Sequence, residues 1–283
     1  MNKMNENKSW TIEGDLAVNR FGYGAMRITG KGIWGRPENE GEAVRVLQRA
    51  VALGVNFIDT ADSYGPEVSE NLIAQALFPY PDGLVIATKG GFERTGPYEW
   101  VINGHPDHLK KALEGSLKRL KLDRIDLYQL HRQDPKVPFD ESIGFLKQAQ
   151  EKGLIRHIGL SEVSIENIKV AKQQVKIASL QNKYSLDHQV WEPELQYCSA
   201  NAIAFIPWNP ISAGKLNPNK TVKAMANKYH VTEQQVILKW LYNYAGNIIL
   251  IPGTSSVSHL EENLRAREIS FSQDDFDSIT GSR

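Results

Sequence analysis

Apolar and polar positions follow a repeating syntax along most of the chain. Ala43, Val44, Leu47, Ala50 and Val51 recur at the spacing of one helix face, Gly54 ends the run, and a short buried strand is expected at Val55–Ile58. The same order of helix, glycine and strand returns at Phe145, Gly153 and Leu154–Leu160, and again at Trp240, Gly246 and Ile248–Ile251. A glycine in each of these places suits the left-handed position just past a helix end. Further strands are predicted at Arg20–Gly24, Leu84–Thr88, Ile125–Leu130, Ala178–Gln181 and Ile203–Pro207. Helical patterns lie at Val68–Leu77, His108–Leu120, Ile165–Ala171, Pro193–Ala200 and Val222–Tyr229. Eight strands alternating with helices predict an α/β fold, a (β/α)8 TIM barrel. Ahead of them, Trp10–Val18 alternates about Gly14-Asp15 and predicts a short N-terminal β-hairpin. A doubly wound sheet fits less well, because Gly22-Tyr23-Gly24 runs into Ala25, Met26 and Arg27, which breaks the glycine-rich dinucleotide turn.

Composition narrows the functional classes. The chain has 283 residues, 41% hydrophobic and 23% charged, with 33 basic residues against 33 acidic ones. That suits one large core, and a single domain over residues 1–283 is expected. Zero net charge without a basic run argues against a nucleic-acid partner. The single Cys198 excludes an internal disulfide framework and suits a reducing compartment. Met1 to Ser9 is polar, has no apolar signal core and is expected to be flexible, and no stretch approaches the length of a membrane span. A cytoplasmic protein without a membrane partner is expected.

Several predicted strands end in reactive groups. Asp59 lies at the mouth of Val55–Ile58 and Tyr64 in the loop five residues on; Lys89 follows Leu84–Thr88, and His131 follows Ile125–Leu130. In a parallel barrel these positions share one face. Each has a plain reading, as turn residue, solvated lysine or satisfied histidine, but together they form a proton-donating set. A tyrosine with a pKa of about 10 is a weak acid at neutral pH. A nearby ammonium lowers that value, Asp59 would keep Lys89 charged and oriented, and His131 would hydrogen-bond a substrate oxygen. Such a set suits protonation of an oxyanion formed by hydride transfer, and the hydride must come from a cofactor.

At this point the chain resembles the aldo-keto reductase superfamily. The matching segments are Asp59-Thr60-Ala61-Asp62-Ser63-Tyr64-Gly65, Ala87-Thr88-Lys89, Asp126-Leu127-Tyr128-Gln129-Leu130-His131, Gly159-Leu160-Ser161, Gln181-Asn182-Lys183-Tyr184 and Ile251-Pro252-Gly253-Thr254-Ser255 through Glu262-Asn263-Leu264. The flavour is that of a bacterial branch with pyridoxal reductases. The resemblance implies a nicotinamide cofactor at the strand C-termini and the tetrad Asp59, Tyr64, Lys89 and His131, with Tyr64 as the acid in reduction. It implies cofactor contacts at Gly24, at Ser161, Glu162 and Gln181 around the carboxamide, and at Trp208 against the ring. Asn209, Pro210, Ile211, Gly214 and Lys215 would follow the diphosphate. Gly253, Thr254, Ser255, His259, Glu262 and Asn263 would serve the adenosine end. Glu162 stands where many relatives have Asn, and Gly253 and His259 stand where many have basic residues for the 2′-phosphate. Ser255, Asn263 and the N-terminus of a following helix would partly replace these, so NADP(H) is preferred over NAD(H).

Substrate contacts are expected from loops over the barrel mouth, at Met26, Trp34, Trp100 and Arg132. His105-Pro106-Asp107-His108 lies at a helix start without a third ligand, so it is read as a cap and no metal site is expected. The leading reading is an NADPH-dependent reductase of small aldehydes or ketones, acting as a monomer or weak homo-oligomer on a small-molecule carbonyl substrate. The alternative is a cofactor-sensing interaction subunit resembling potassium-channel β subunits. Only about nine polar residues precede the hairpin, which favours the enzyme.

Overall fold

The structure, a computed structural model, describes residues 4–211 and 219–282. The hairpin forms from β1 (Ser9–Ile12) and β2 (Leu16–Asn19), paired antiparallel. A seven-stranded parallel sheet follows: β3 (Tyr23–Gly24), β4 (Phe57–Asp59), β5 (Val85–Gly90), β8 (Ile125–Leu130), β9 (Ile155–Ser161), β10 (Ser179–Gln181) and β11 (Ala204–Phe205), in that spatial order. A third, two-stranded ribbon, β6 (Phe92–Glu93) with β7 (Val101–Ile102), stands over the C-terminal end of β5. The predicted eighth strand is not a regular strand. It bridges both edges of the sheet instead. Asn247 O and Ile249 N bond Phe205, while Leu250 N bonds Arg20 O and Leu250 O accepts from Gly22 N, each at 2.8–2.9 Å.

Helices connect the strands and cover the outer face: α1 (Glu40–Ala52), α2 (Val68–Leu77), α3 (Pro106–Leu120), α4 (Phe139–Glu151), α5 (Ile165–Ala171), α6 (Glu192–Ala200), α7 (Lys220–Tyr229), α8 (Glu233–Tyr244), α9 (Val257–Arg265) and α10 (Gln273–Thr280). Local chemistry sets their ends. Asn39 caps α1 by accepting from Glu42 N at 2.9 Å, and Ser164 and Thr232 form capping boxes on α5 and α8. The cap reading of His105 holds, since its Nδ1 accepts from Asp107 N at the start of α3. Gly54 and Gly153 are left-handed, with φ of +86° and +75°, as the pattern predicts. Gly246 is not. α8 ends through an extended Ala245, and Gly246 lies against the Asn5 side chain, where a Cβ would come within 2.5 Å of its amide nitrogen.

Two apolar cores flank the sheet. The larger lies between strands and helices and includes Leu47, Ile73, Leu113, Ile143, Ile158, Leu180 and Trp240. The smaller fills the concave face, where Phe57, Val85, Leu127, Ala178, Ala204 and Ile249 meet Ile12, Leu16 and Val18 of the hairpin. The hairpin turn is held to the start of β9 by Asp15, whose carboxylate meets His157 at 2.7 Å and Arg156 at 3.0 Å. The hairpin therefore occupies the N-terminal end of the strands and leaves the other end free. Asn5 and Asn7, from the stretch expected to be flexible, bond the Arg20 guanidinium, and Asn5 N donates to Asn243 O.

Candidate active site

Strands β4 and β5 are neighbours in register, with Asp59 opposite Ala87, which brings the end of β4 beside Lys89. Lys89 is fully buried and its Nζ donates to Asp59 Oδ1 at 2.6 Å, to Thr60 O at 2.8 Å and to Tyr64 OH at 3.3 Å. The other Asp59 oxygen accepts from Gln181 Nε2 at 2.9 Å and Gln129 Nε2 at 3.1 Å. Every charge in this dry site thus has a partner, which a buried ion pair requires. His131 completes the set: its ring lies edge-on to Tyr64 at 5.8 Å, and its Nδ1 faces Ser63 Oγ at 3.5 Å.

The electrostatics assign protonation states. Burial is the largest influence on Lys89 and pulls its ammonium down, but the Asp59 charge and Tyr64 reverse this, and the net displacement is upward. Burial raises the Tyr64 phenol, and Lys89 opposes that only in part. The ammonium is expected to lower the phenol; in the protein burial outweighs it and the phenol keeps its proton. His131 is driven well below its ordinary value by burial, with Lys89 and Arg132 adding repulsion, so it stands neutral. Behind this set, burial and the Glu70 charge push Asp62 up to about 8, and among the described residues its Oδ1 has no hydrogen-bond partner.

Above the tetrad opens a cavity of about 850 Å³. Asp59, Tyr64 and His131 form its floor, with Ser161 and Gln181 beside them. Gly24, Met26, Trp100, Arg132, Trp208, Asn209, Pro210 and Ile211 form its walls. Gly253, packed on Gly24, and Thr254, Ser255, His259, Glu262 and Asn263 continue its lining. Lys89 lies beneath the floor. Gly214 and Lys215 fall outside the described residues.

Two expected contacts stand elsewhere. Glu162, left-handed at φ +55°, turns its carboxylate to Trp208 Nε1 at 2.7 Å and Lys183 N at 2.6 Å, so it props the indole rather than lining the cavity. Trp34 lies against the Arg94 guanidinium at 5.6 Å, and its neighbour Ile33 takes the place on the wall. The wall also contains Phe92, Ile251, Arg27 and Gln234. Ile33 and Phe92 lie in loops already marked by their aromatics. Nothing in the local pattern singles out Arg27 or Gln234.

Arg94 is the residue the sequence hides most completely. Its guanidinium donates to Glu99 O at 2.7 Å, to Ile33 O and Ser63 O at 2.8 Å, to Gly32 O at 3.1 Å and to Gly96 O at 3.3 Å. It also stacks on Trp100 at 3.7 Å. Trp100 in turn meets Tyr64 edge-on at 6.3 Å and Phe92 at 5.2 Å. One side chain thereby ties three loops into the aromatic roof of the cavity.

Comparison with known proteins agrees with this geometry. A sequence model described as the aldo/keto reductase family matches residues 20–283. An uncharacterised oxidoreductase of Schizosaccharomyces pombe is 47% identical, over 93% of this chain and 86% of that protein. Pyridoxine 4-dehydrogenase of Escherichia coli is 37% identical, over 95% of this chain and 96% of that protein. An aldo/keto reductase of Klebsiella pneumoniae, solved in complex with NADP and acetate, shares the fold with a TM-score of 0.81 at 23% identity, over 96% of this chain and 94% of that one.

Proposed function

The chain belongs to the aldo/keto reductase family, and from that premise we propose that it interconverts small aldehydes or ketones and their alcohols with NADP(H). The carrying observation is the buried chain Asp59–Lys89–Tyr64 beside a neutral His131, at the floor of one large cavity. We read the curled sheet and its bridging segment as an eight-stranded (β/α)8 barrel forming one domain, with its chemistry at the C-terminal face.

The residues present fit a nicotinamide dinucleotide. Trp208, braced by Glu162, offers a flat ring, Ser161 and Gln181 offer hydroxyl and amide groups beside the tetrad, and Thr254, Ser255 and Asn263 offer polar groups for the adenosine end. Bound there, the cofactor supplies the hydride. The chain's own residues do the rest. Tyr64 holds a proton at its OH and delivers it to the carbonyl oxygen as negative charge grows there. Lys89, kept charged by Asp59, stabilises the phenolate that remains. Neutral His131 donates one ring N–H toward the same oxygen and leaves its charge state unchanged. Phe92, Trp100 and Trp208 exclude water and suit a flat substrate, and similarity to pyridoxine 4-dehydrogenase supports a pyridoxal-like aldehyde.

The test is consumption of NADPH with pyridoxal and with simple aromatic aldehydes. Saturable turnover with one of these bears the proposal out; cofactor binding without turnover of any carbonyl compound refutes it.

A further inference from the structure

The lining of the cavity includes a cation, unpaired among the described residues, that comes from outside the segments expected to hold the cofactor. Among the described residues, two arginines line the cavity. Arg132 is committed near the tetrad, where its Nη1 donates to His131 O at 2.7 Å and Ser161 Oγ at 2.9 Å. Arg27 closes the short 3-10 turn Ala25–Ile28 after β3. It is exposed, and among the described residues it has no hydrogen bond or ion pair.

Its stem lies on Gly253. A Cβ built on Gly253 would come within 2.8 Å of Gly24 O and 3.5 Å of Arg27 Cγ. The backbone at 253 therefore has no room for a long basic side chain of its own, and among the described residues the basic side chain packed over it is Arg27. The N-terminus of α9 is a weak substitute. Val257 N already donates to the Glu42 carboxylate at 3.1 Å, and Ser256 N is taken by Thr254 Oγ1 at 3.1 Å. The carboxylate of Glu262 is turned to Thr232 Oγ1 at 2.9 Å.

We propose that Arg27 recognises the phosphate on the adenosine ribose of NADPH, and so sets the preference for NADPH over NADH. The inference rests on the cofactor reading above. NADPH and NADH differ by this one phosphate, and a guanidinium is matched to it in charge and in its paired N–H donors. Because Arg27 is exposed and unpaired, its removal leaves no buried partner stranded.

The experiment is tryptophan-fluorescence titration of wild type, Arg27→Met and Arg27→Lys with NADPH and with NADH, repeated at two salt concentrations. Arg27→Met should weaken NADPH binding about 10- to 100-fold. NADH binding should stay unchanged, which also shows that the variant is folded. Arg27→Lys should restore part of the loss, and the salt dependence of NADPH binding should shrink in Arg27→Met. Equal weakening of both cofactors would place Arg27 on the shared diphosphate and overturn the assignment, as would no change in either. A wild-type protein that binds neither cofactor would overturn the cofactor reading itself, whatever the variants do.

Discussion

Tyr64 works under two opposed influences, and their balance decides what kind of acid it is. Burial holds the proton on the phenol, and in the proposed transfer Lys89 at 3.3 Å would stabilise the anion left behind. Tyr64→Phe removes the proton and little else, so turnover should fall about 100- to 10,000-fold with the affinity for NADPH retained; wild-type turnover in that variant would end the assignment. Asp62, two residues away, gives a prediction about pH. Its folded value of about 8 exceeds the 3.8 of the free side chain. The folded protein therefore keeps a proton that the unfolded chain releases, and stability is lost as pH rises from about 4 to about 8, by about 1 kcal/mol per pH unit. Asp62→Asn has no such proton, so its melting temperature should fall less than that of wild type between pH 5 and pH 8. Parallel curves would refute a protonated Asp62. The tetrad is legible in the sequence because Asp59, Lys89 and His131 stand at strand ends and Tyr64 lies in the loop after one of them, each in a short motif. The balance at Tyr64 is not, because burial by Trp100 and His131 depends on segments far apart in the chain.

The loops show the same limit at the scale of elements. Helices α2 and α5 fall at their predicted boundaries, since apolar periodicity reports a face that packs on a sheet. The roof of the cavity has no periodicity to report. It is built by Arg94 bonding carbonyl groups around residues 32, 63 and 96, so the signal is one ordinary-looking arginine between Glu93 and Thr95. Arg94→Ala should loosen Trp100 and raise KM for an aromatic aldehyde about tenfold or more, with a smaller effect on kcat. Cofactor affinity should not change, because none of the Arg94 partners is among the residues proposed to hold the cofactor. An unaltered KM would show that the roof stands without the clamp. Glu162 follows the same logic: in the sequence it looks like a changed carboxamide contact, and in the fold it supports Trp208.

For the whole molecule, the alternation of strands and helices already implied a parallel α/β architecture, but the junction of its edges depends on groups the pattern cannot show. Ile248–Ile251 reads as an eighth strand in sequence and makes only bridging bonds in the fold, to Phe205 on one side and to Arg20 and Gly22 on the other. Arg20, buried beside this junction, donates to Ile248 O, Tyr242 O and Ala245 O and lies over the Tyr242 ring at 4.5 Å. It also satisfies carbonyl groups at the C-terminus of α8, which would otherwise be orphaned. Arg20→Met should cost about 3 kcal/mol or more, because several buried acceptors lose their donor at once. The cost is read as a lower midpoint in urea, and a midpoint equal to that of wild type would show that the junction holds without it.

The bridging segment also bears on how the protein is made. Asp59, Tyr64, Lys89 and His131 are all in the first half of the chain and leave the ribosome early. Until residues 247–251 emerge, the nascent sheet carries two open edges, at Phe21–Gly24 and at Ala204–Phe205, each a template for pairing with another chain. A truncated message that stops short of Asn247 would therefore encode the entire tetrad and yield an aggregate, and a stretch more than a hundred residues later in the chain governs whether the site is ever assembled.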